Sequence, residues 1–249
     1  MFALIDLTSL LFVLFSSIAV VLACGSGGNS KVGLLAALPE IGIFGMYAGL
    51  VIMMSNMYDP ANLPPAIAVA FMPILYASII GFVVVSMSSS SDQSEAPEAS
   101  WRPFAGVAVF LATISAIFYE HAAAMLIPEA ALVVAVLFAT CLGAQRFSGR
   151  NDPSQVFSLL PSIGLLTGGI GLILALINIS DPKSVGPALA ISVGGIMYTS
   201  LIKILWLLLT PRYAEQLDGS SPAIDWAPSR LAFFGLSILI LVLAISDLG

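Results

Sequence analysis

The sequence predicts an all-α, polytopic membrane protein of about eight transmembrane helices, arranged as two parallel four-helix repeats. Hydrophobic residues make up 59% of the chain and charged residues only 9%. A soluble domain carries roughly 25% charged residues, so most of this surface must face lipid. Residues 38–81 and 160–203 align at a constant offset of 122 without a gap, and sixteen of the 44 pairs are identical. A repeat of this length indicates an internally duplicated architecture.

A spanning helix needs about 20 apolar residues. Runs of that kind lie at about 3–24, 33–57, 64–87, 103–120, 127–145, 157–179, 185–209 and 229–248. We divide the 104–144 stretch because Glu120 and His121 interrupt it and Pro128 can begin a new helix. The offset of 122 carries the first span onto the fifth, so each half holds four spans. We therefore predict membrane repeats at 1–122 and 123–249, with helical hairpins at 33–87 and 157–209.

The positive charges predict the orientation. Six Lys and Arg residues follow the odd-numbered spans, whereas the loops after even-numbered spans hold only Lys183. Because loops on the cytoplasmic side carry an excess of Lys and Arg, we expect both termini on the opposite, outer side. The loops around Asp59-Pro60 and Asp181-Pro182 then also face outward. At these positions Asp before Pro can form a turn and cap the next helix, and a role in ion entry is the alternative.

The first helix of each predicted hairpin carries small residues at helical spacing. In lipid, close helix contact depends on such residues because no hydrophobic force drives the helices together. We expect these glycines to pack the hairpins: Gly42, Gly45 and Gly49 in the first, and Gly164, Gly168 and Gly171 in the second.

The two hairpins share a wider pattern: a Pro-x-x-Gly helix, an Asn-x-x-Asp-Pro loop, and a helix with a Pro-Ala-x-Ala start and a later Tyr. It is carried by Pro39, Gly42, Gly45, Gly49, Asn56, Asp59, Pro60, Pro65, Ala66, Ala68, Leu75 and Tyr76, and again by Pro161, Gly164, Gly171, Asn178, Asp181, Pro182, Gly186, Pro187, Ala188, Ala190, Met197 and Tyr198. This pattern resembles the core of the MotA/TolQ/ExbB proton-channel family. The resemblance covers about a third of the chain, and the family's hairpin loop is extracytoplasmic, in agreement with the charge count.

The resemblance implies a subunit of a bacterial cytoplasmic (inner) membrane that uses a proton- or sodium-motive force. It also implies a homo- or hetero-oligomer and a single-span partner of the MotB/ExbD/TolR type, whose Asp carries the proton. Where the family has hydroxyls along its ion path, this chain has Met46 and Gly168, then Pro73-Ile74 and Gly195-Ile196. Thr167 and Thr199 carry hydroxyls close to, but not at, the positions of the family's hydroxyls. Together with Tyr76 and Tyr198 they are candidates for an ion path or a helix interface.

Glu40 and Lys203 are ionisable residues inside predicted spans, each about two turns from the cytoplasmic end. The aligned residues are neutral, Ser162 and Gly81. A charge at this depth is costly, so one hypothesis is that they pair between the repeats. The alternative is that Lys203 extends to the headgroups while Glu40 is protonated or reaches cytoplasmic water.

Composition and motifs exclude several other classes. The net charge is −6 and there is no basic patch, so we expect no nucleic-acid partner. Two isolated cysteines and one histidine predict no metal site, and no motif predicts a cofactor or an enzyme. Besides an ion-motive subunit, a non-conducting membrane scaffold of the same fold and a small-solute transporter with parallel repeats remain open.

Overall fold

A computed structural model describes residues 6–25, 28–55, 63–87, 101–147, 153–178 and 182–210, together with Arg230, Gly235, Ser237 and Leu239. Within these residues every regular element is helical. The helices are α1 (Leu7–Cys24), α2 (Gly28–Ser55), α3 (Leu63–Ser86), α4 (Arg102–Phe118), α5 (Ala122–Met125), α6 (Pro128–Phe147), α7 (Pro153–Ser158), α8 (Leu160–Ile177) and α9 (Pro182–Leu209). The 3-10 turn Tyr119–His121 joins α4 to α5.

Seven segments in the described part of the chain are long and apolar enough to span a membrane. They correspond to the first seven predicted spans. The 104–144 stretch is divided before Pro128 as predicted, but the first of the two candidate spans continues through Glu120 and His121 and ends at Met125. Of the eighth predicted span only Arg230, Gly235, Ser237 and Leu239 are described, and each is helical. The eight-helix arrangement therefore stays a prediction, as does the division into repeats at residue 122.

The sixth predicted span differs in one respect, because it is preceded by a separate short helix. Helix α7 ends at Ser158 and α8 begins at Leu160, with Pro161 in its first turn. Proline lacks the N–H that a continuous helix would use and is tolerated at the start of a helix. The aligned Pro39 lies inside α2, which continues through it.

The outward-facing side chains are mostly apolar. Exposed fractions of 68% for Phe104, 65% for Leu132 and 58% for Ile173 are typical of this surface. Such exposure is unfavourable in water and favourable in hydrocarbon. Together with the candidate spans, it indicates an integral membrane protein.

The described helices belong to two compact units. The first contains α1, residues 28–46 of α2, residues 68–86 of α3, α4 and residues 201–209 of α9. The second contains residues 47–55 of α2, residues 63–67 of α3, residues 123–125 of α5, α6, α7, α8 and residues 182–200 of α9.

In the first unit, α4 packs along α1. The backbone of Gly106 approaches Ala19 and Ala23, and a Cβ at Gly106 would lie 2.7 Å from both the Ala19 carbonyl oxygen and the Ala23 Cβ. Towards the other end of α4, the Phe118 ring lies 5.6 Å from the Phe12 ring and 6.2 Å from the Phe44 ring, measured between centroids. Small residues at one end and an aromatic cluster at the other hold α1, α2 and α4 together.

Candidate functional site

The candidate site residues lie on two hairpins, which are described separately: α2 with α3, and α8 with α9. The hairpins use the same contact. A Cβ on Gly42 would lie 3.0 Å from the Ile74 Cα and 3.2 Å from the Ala77 Cβ. A Cβ on Gly164 would lie 3.4 Å from the Ile196 Cα and would overlap Thr199. All three pairs of residues are related by the offset of 122, so the duplication extends to packing.

One turn further on, the two hairpins share a contact in which the large and small partners are exchanged. In the first hairpin Gly45 on α2 receives Pro73 of α3, and a Cβ on Gly45 would lie 2.6 Å from the Pro73 Cβ. In the second hairpin the aligned residues are Thr167 on α8 and Gly195 on α9, and here the threonine side chain fills the space over the glycine. The same position is thus filled from α3 in one hairpin and from α8 in the other.

Gly171 packs directly against the backbone of α9. A Cβ there would overlap the Ser192 backbone nitrogen, and it would lie 2.7 Å from the Ser192 Cα and 2.8 Å from the Ala188 carbonyl oxygen. These atoms belong to the backbone of α9 and cannot move aside without moving the helix. Of the other two predicted packing glycines, Gly168 is buried and Gly49 is half-buried.

Tyr76 and Tyr198 occupy equivalent helix-interface positions. The Tyr76 hydroxyl accepts a hydrogen bond of 3.1 Å from the backbone N–H of Asp6, the N-cap residue of α1. The Tyr198 hydroxyl accepts one of 2.7 Å from the N–H of Ile127, directly before α6, and donates one of 2.6 Å to the Met125 carbonyl. Each tyrosine therefore ties the second helix of its hairpin to the start of an earlier helix, where backbone N–H groups need partners.

The hydroxyls of Thr167 and Thr199 are buried and bonded within their own helices. Thr167 Oγ1 donates to the Ile163 carbonyl at 2.9 Å, and Thr199 Oγ1 lies 3.0 Å from both the Gly195 and the Ile196 carbonyl oxygens. Their exposed fractions are 0% and 1%. The two side chains also interlock, since Thr167 covers Gly195 on α9 and Thr199 covers Gly164 on α8. This arrangement uses both threonines for packing, and their role in ion movement stays a prediction.

Glu40 on α2 and Lys203 on α9 form an ion pair inside the first unit. Lys203 Nζ donates to Glu40 Oε1 at 2.7 Å. The Glu40 side chain is 3% exposed and that of Lys203 is 18% exposed. The sequence left two hypotheses open, pairing of the two residues or separate solvation of each. In the structure the two side chains are paired. Removing one partner of a buried pair typically costs 3–5 kcal/mol, because a charge is left without compensation.

A site not predicted from the sequence surrounds Arg230 in the second unit. Arg230 is one of the six Lys and Arg residues that were assigned to cytoplasmic loops to predict the orientation. In the structure it is helical and only 3% exposed. Its Nη1 donates to Ser200 Oγ at 3.2 Å, and the Tyr47 hydroxyl donates to its carbonyl at 2.7 Å. An arginine at the start of an apolar run is ordinarily a flanking charge, so no local signal indicated this burial.

The outer-loop residues Asp59, Pro60 and Asp181 lie outside the described residues, and α9 begins at Pro182. Their predicted role in the turn therefore stays a prediction. Comparisons of the chain with protein-family models, with curated proteins and with solved structures found no match.

Proposed function

We propose that this protein is an integral membrane subunit of the MotA/TolQ/ExbB type, which works with a single-span partner in a bacterial cytoplasmic membrane and uses a proton- or sodium-motive force. One observation carries the proposal: the glycine contact of the hairpin is made twice, by Gly42 on Ile74 and by Gly164 on Ile196. Gly42 and Gly164, two of the residues that carry the family resemblance, are thus residues on which the hairpins pack. The equivalent tyrosine hydrogen bonds add a second duplicated feature.

In this proposal the chain supplies a fixed helical wall and the partner supplies the carboxylate that carries the ion. An ion crossing the membrane needs polar groups or water in place of its hydration shell. Within the described helices, Glu40 is a buried carboxylate already neutralised by Lys203 at 2.7 Å. A partner carboxylate is therefore required by the proposal, because Glu40 cannot accept and release an ion without breaking its pair.

The test reconstitutes the full chain in liposomes with and without a single-span protein encoded next to it whose span contains an Asp. A potassium gradient with valinomycin drives protons inward, and an internal pH dye records their uptake. We expect uptake only with both proteins present, and its loss when the partner's Asp is replaced by Asn. Absence of proton and sodium flux from a stable complex of the two would overturn the proposal.

A non-conducting membrane scaffold built on the same hairpins is the second candidate function. The observation in its favour is that both displaced hydroxyls, Thr167 and Thr199, are used within their own helices and in packing. This candidate predicts that the chain purifies in a larger assembly whose composition and stability do not change when the ion gradient is collapsed. A gradient-dependent change in the assembly would exclude it.

A further inference from the structure

Two hairpins that are so similar raise a pairing problem within one membrane. The residue on which the first helix packs is an isoleucine in both cases, Ile74 on α3 and Ile196 on α9. The glycine-isoleucine contact alone therefore does not distinguish the correct second helix for α2 from its duplicate. In lipid the difficulty is greater, because non-specific apolar contact between helices is no better than contact with lipid.

The exchanged contact one turn further on can make this distinction by size. Gly45 has room for Pro73, and Thr167 fills the space above Gly195. Exchanging the second helices would place Gly45 opposite Gly195 and leave a void, and would place Thr167 opposite Pro73 and produce a clash. Pairing α2 with α9, or α8 with α3, in this way is therefore unfavourable. The glycine-isoleucine contact alone would permit both pairings.

The ion pair marks a different helix contact of α2, the one with α9. Glu40 and Lys203 are 2.7 Å apart, while the residues aligned with them are Ser162 and Gly81. A Cβ on Gly81 would have ordinary van der Waals contact, 3.7 Å from Leu38 Cδ1, so the glycine is not required there by lack of space. The first hairpin therefore has no lysine at the position of Lys203, and the second has no carboxylate at the position of Glu40. Neither charge is a general requirement of hairpin folding.

We propose that these two contacts determine the pairing of helices in this chain: size complementarity at Gly45–Pro73 and Thr167–Gly195 selects the partner within each hairpin, and charge complementarity at Glu40–Lys203 joins the first hairpin to α9. The partner that α2 accepts at Glu40 is a helix with a buried lysine. A second copy of α2 is rejected because it would bring one buried carboxylate to another. The inference depends on membrane insertion and is independent of ion conduction.

The experiment uses the full chain with Glu40→Lys, Lys203→Glu, the charge exchange E40K/K203E and the neutral pair E40Q/K203M. Each variant is purified in mild detergent, its helical content is checked by circular dichroism, and the number of copies per particle is measured by native mass spectrometry. Gly81→Ala, which changes no charge and adds only an ordinary van der Waals contact with Leu38, is the matched control.

We expect each single variant to reduce the yield of particles of wild-type size roughly tenfold, because it brings two like charges together at a buried position. We expect the charge exchange to recover at least half of that yield. The neutral pair should keep wild-type helical content but form a broader distribution of particle sizes, since charge no longer excludes a second copy of α2 from the place of α9.

Several outcomes would overturn the charge-pairing proposal. Wild-type particles from either single variant would do so, and so would failure of the charge exchange to recover yield. A neutral pair as uniform as the wild type would show that the two charges only compensate each other. That result would not affect the proposed function, which is tested by ion flux with the partner.

Discussion

Replacement of Gly171 by alanine is the most direct test of the helix packing in the second hairpin. The added methyl group would lie 2.7 Å from the Ser192 Cα and 2.8 Å from the Ala188 carbonyl oxygen. Since favourable carbon contacts lie at about 3.5–4.0 Å, α8 and α9 must separate by about 1 Å. A gap of that size removes roughly a quarter to a half of the dispersion energy of each affected contact.

Overpacking of this kind typically costs about 1–3 kcal/mol, and we expect the upper end because the opposing atoms are backbone. Alanine recovers up to about 1 kcal/mol of helix propensity, so the expected net loss is about 2 kcal/mol. The matched control is Gly143→Ala on α6, where a Cβ would have no atom within 4 Å. That change should be neutral or stabilise the protein by up to about 1 kcal/mol.

The assay is reversible unfolding of the full chain in mixed micelles by added SDS, followed by circular dichroism and tryptophan fluorescence. Both variants and the wild type are compared at the same micelle composition. If Gly171→Ala proves as stable as Gly143→Ala, then α8 and α9 do not make the close backbone contact described above.

Three further predictions use the same unfolding measurement or the flux assay. Gly45→Thr should destabilise the protein by about 2 kcal/mol through overlap with Pro73, and adding Pro73→Gly should recover more than half of that loss; simple additivity of the two changes would contradict size complementarity. Tyr198→Phe leaves the Ile127 N–H without its hydroxyl acceptor and should cost about 1–2 kcal/mol; an unchanged midpoint would argue against the hydrogen bond. Thr199→Val removes a hydroxyl that donates to a carbonyl of its own helix and should cost about 0.5–1.5 kcal/mol, the typical net contribution of one hydrogen bond; if partner-dependent flux disappears while stability falls by no more than this, the hydroxyl belongs to the ion path rather than to packing alone.

The class of protein and most of its helices followed from local properties of the sequence. Apolar runs of spanning length predicted the seven candidate spans, because the length of a run and its hydropathy do not depend on which helix lies beside it. The glycine pattern likewise indicated where helices pack. Pro161 was the local feature whose effect was missed, since proline can either begin a helix, as it does in α8, or lie inside one, as Pro39 does in α2.

The site depended more strongly on tertiary structure. Repetition predicted that Gly42 and Gly164 are equivalent, but only the fold reveals that the neighbouring contact exchanges its large and small partners. Arg230 is buried against Ser200, which lies 30 positions earlier in the chain. No residue close to Arg230 in the sequence indicated this burial.

By itself, the sequence determined that the chain is a membrane protein with a duplicated pair of helices, because hydropathy and internal repetition are properties of the chain. The tertiary structure decided which side chains compensate one another. Glu40 and Lys203 are 163 positions apart, and both pairing and separate solvation were compatible with their sequence positions. Only the packing of α2 against α9 brings the carboxylate and the ammonium group within 2.7 Å, where the cost of burying each charge is offset by the other.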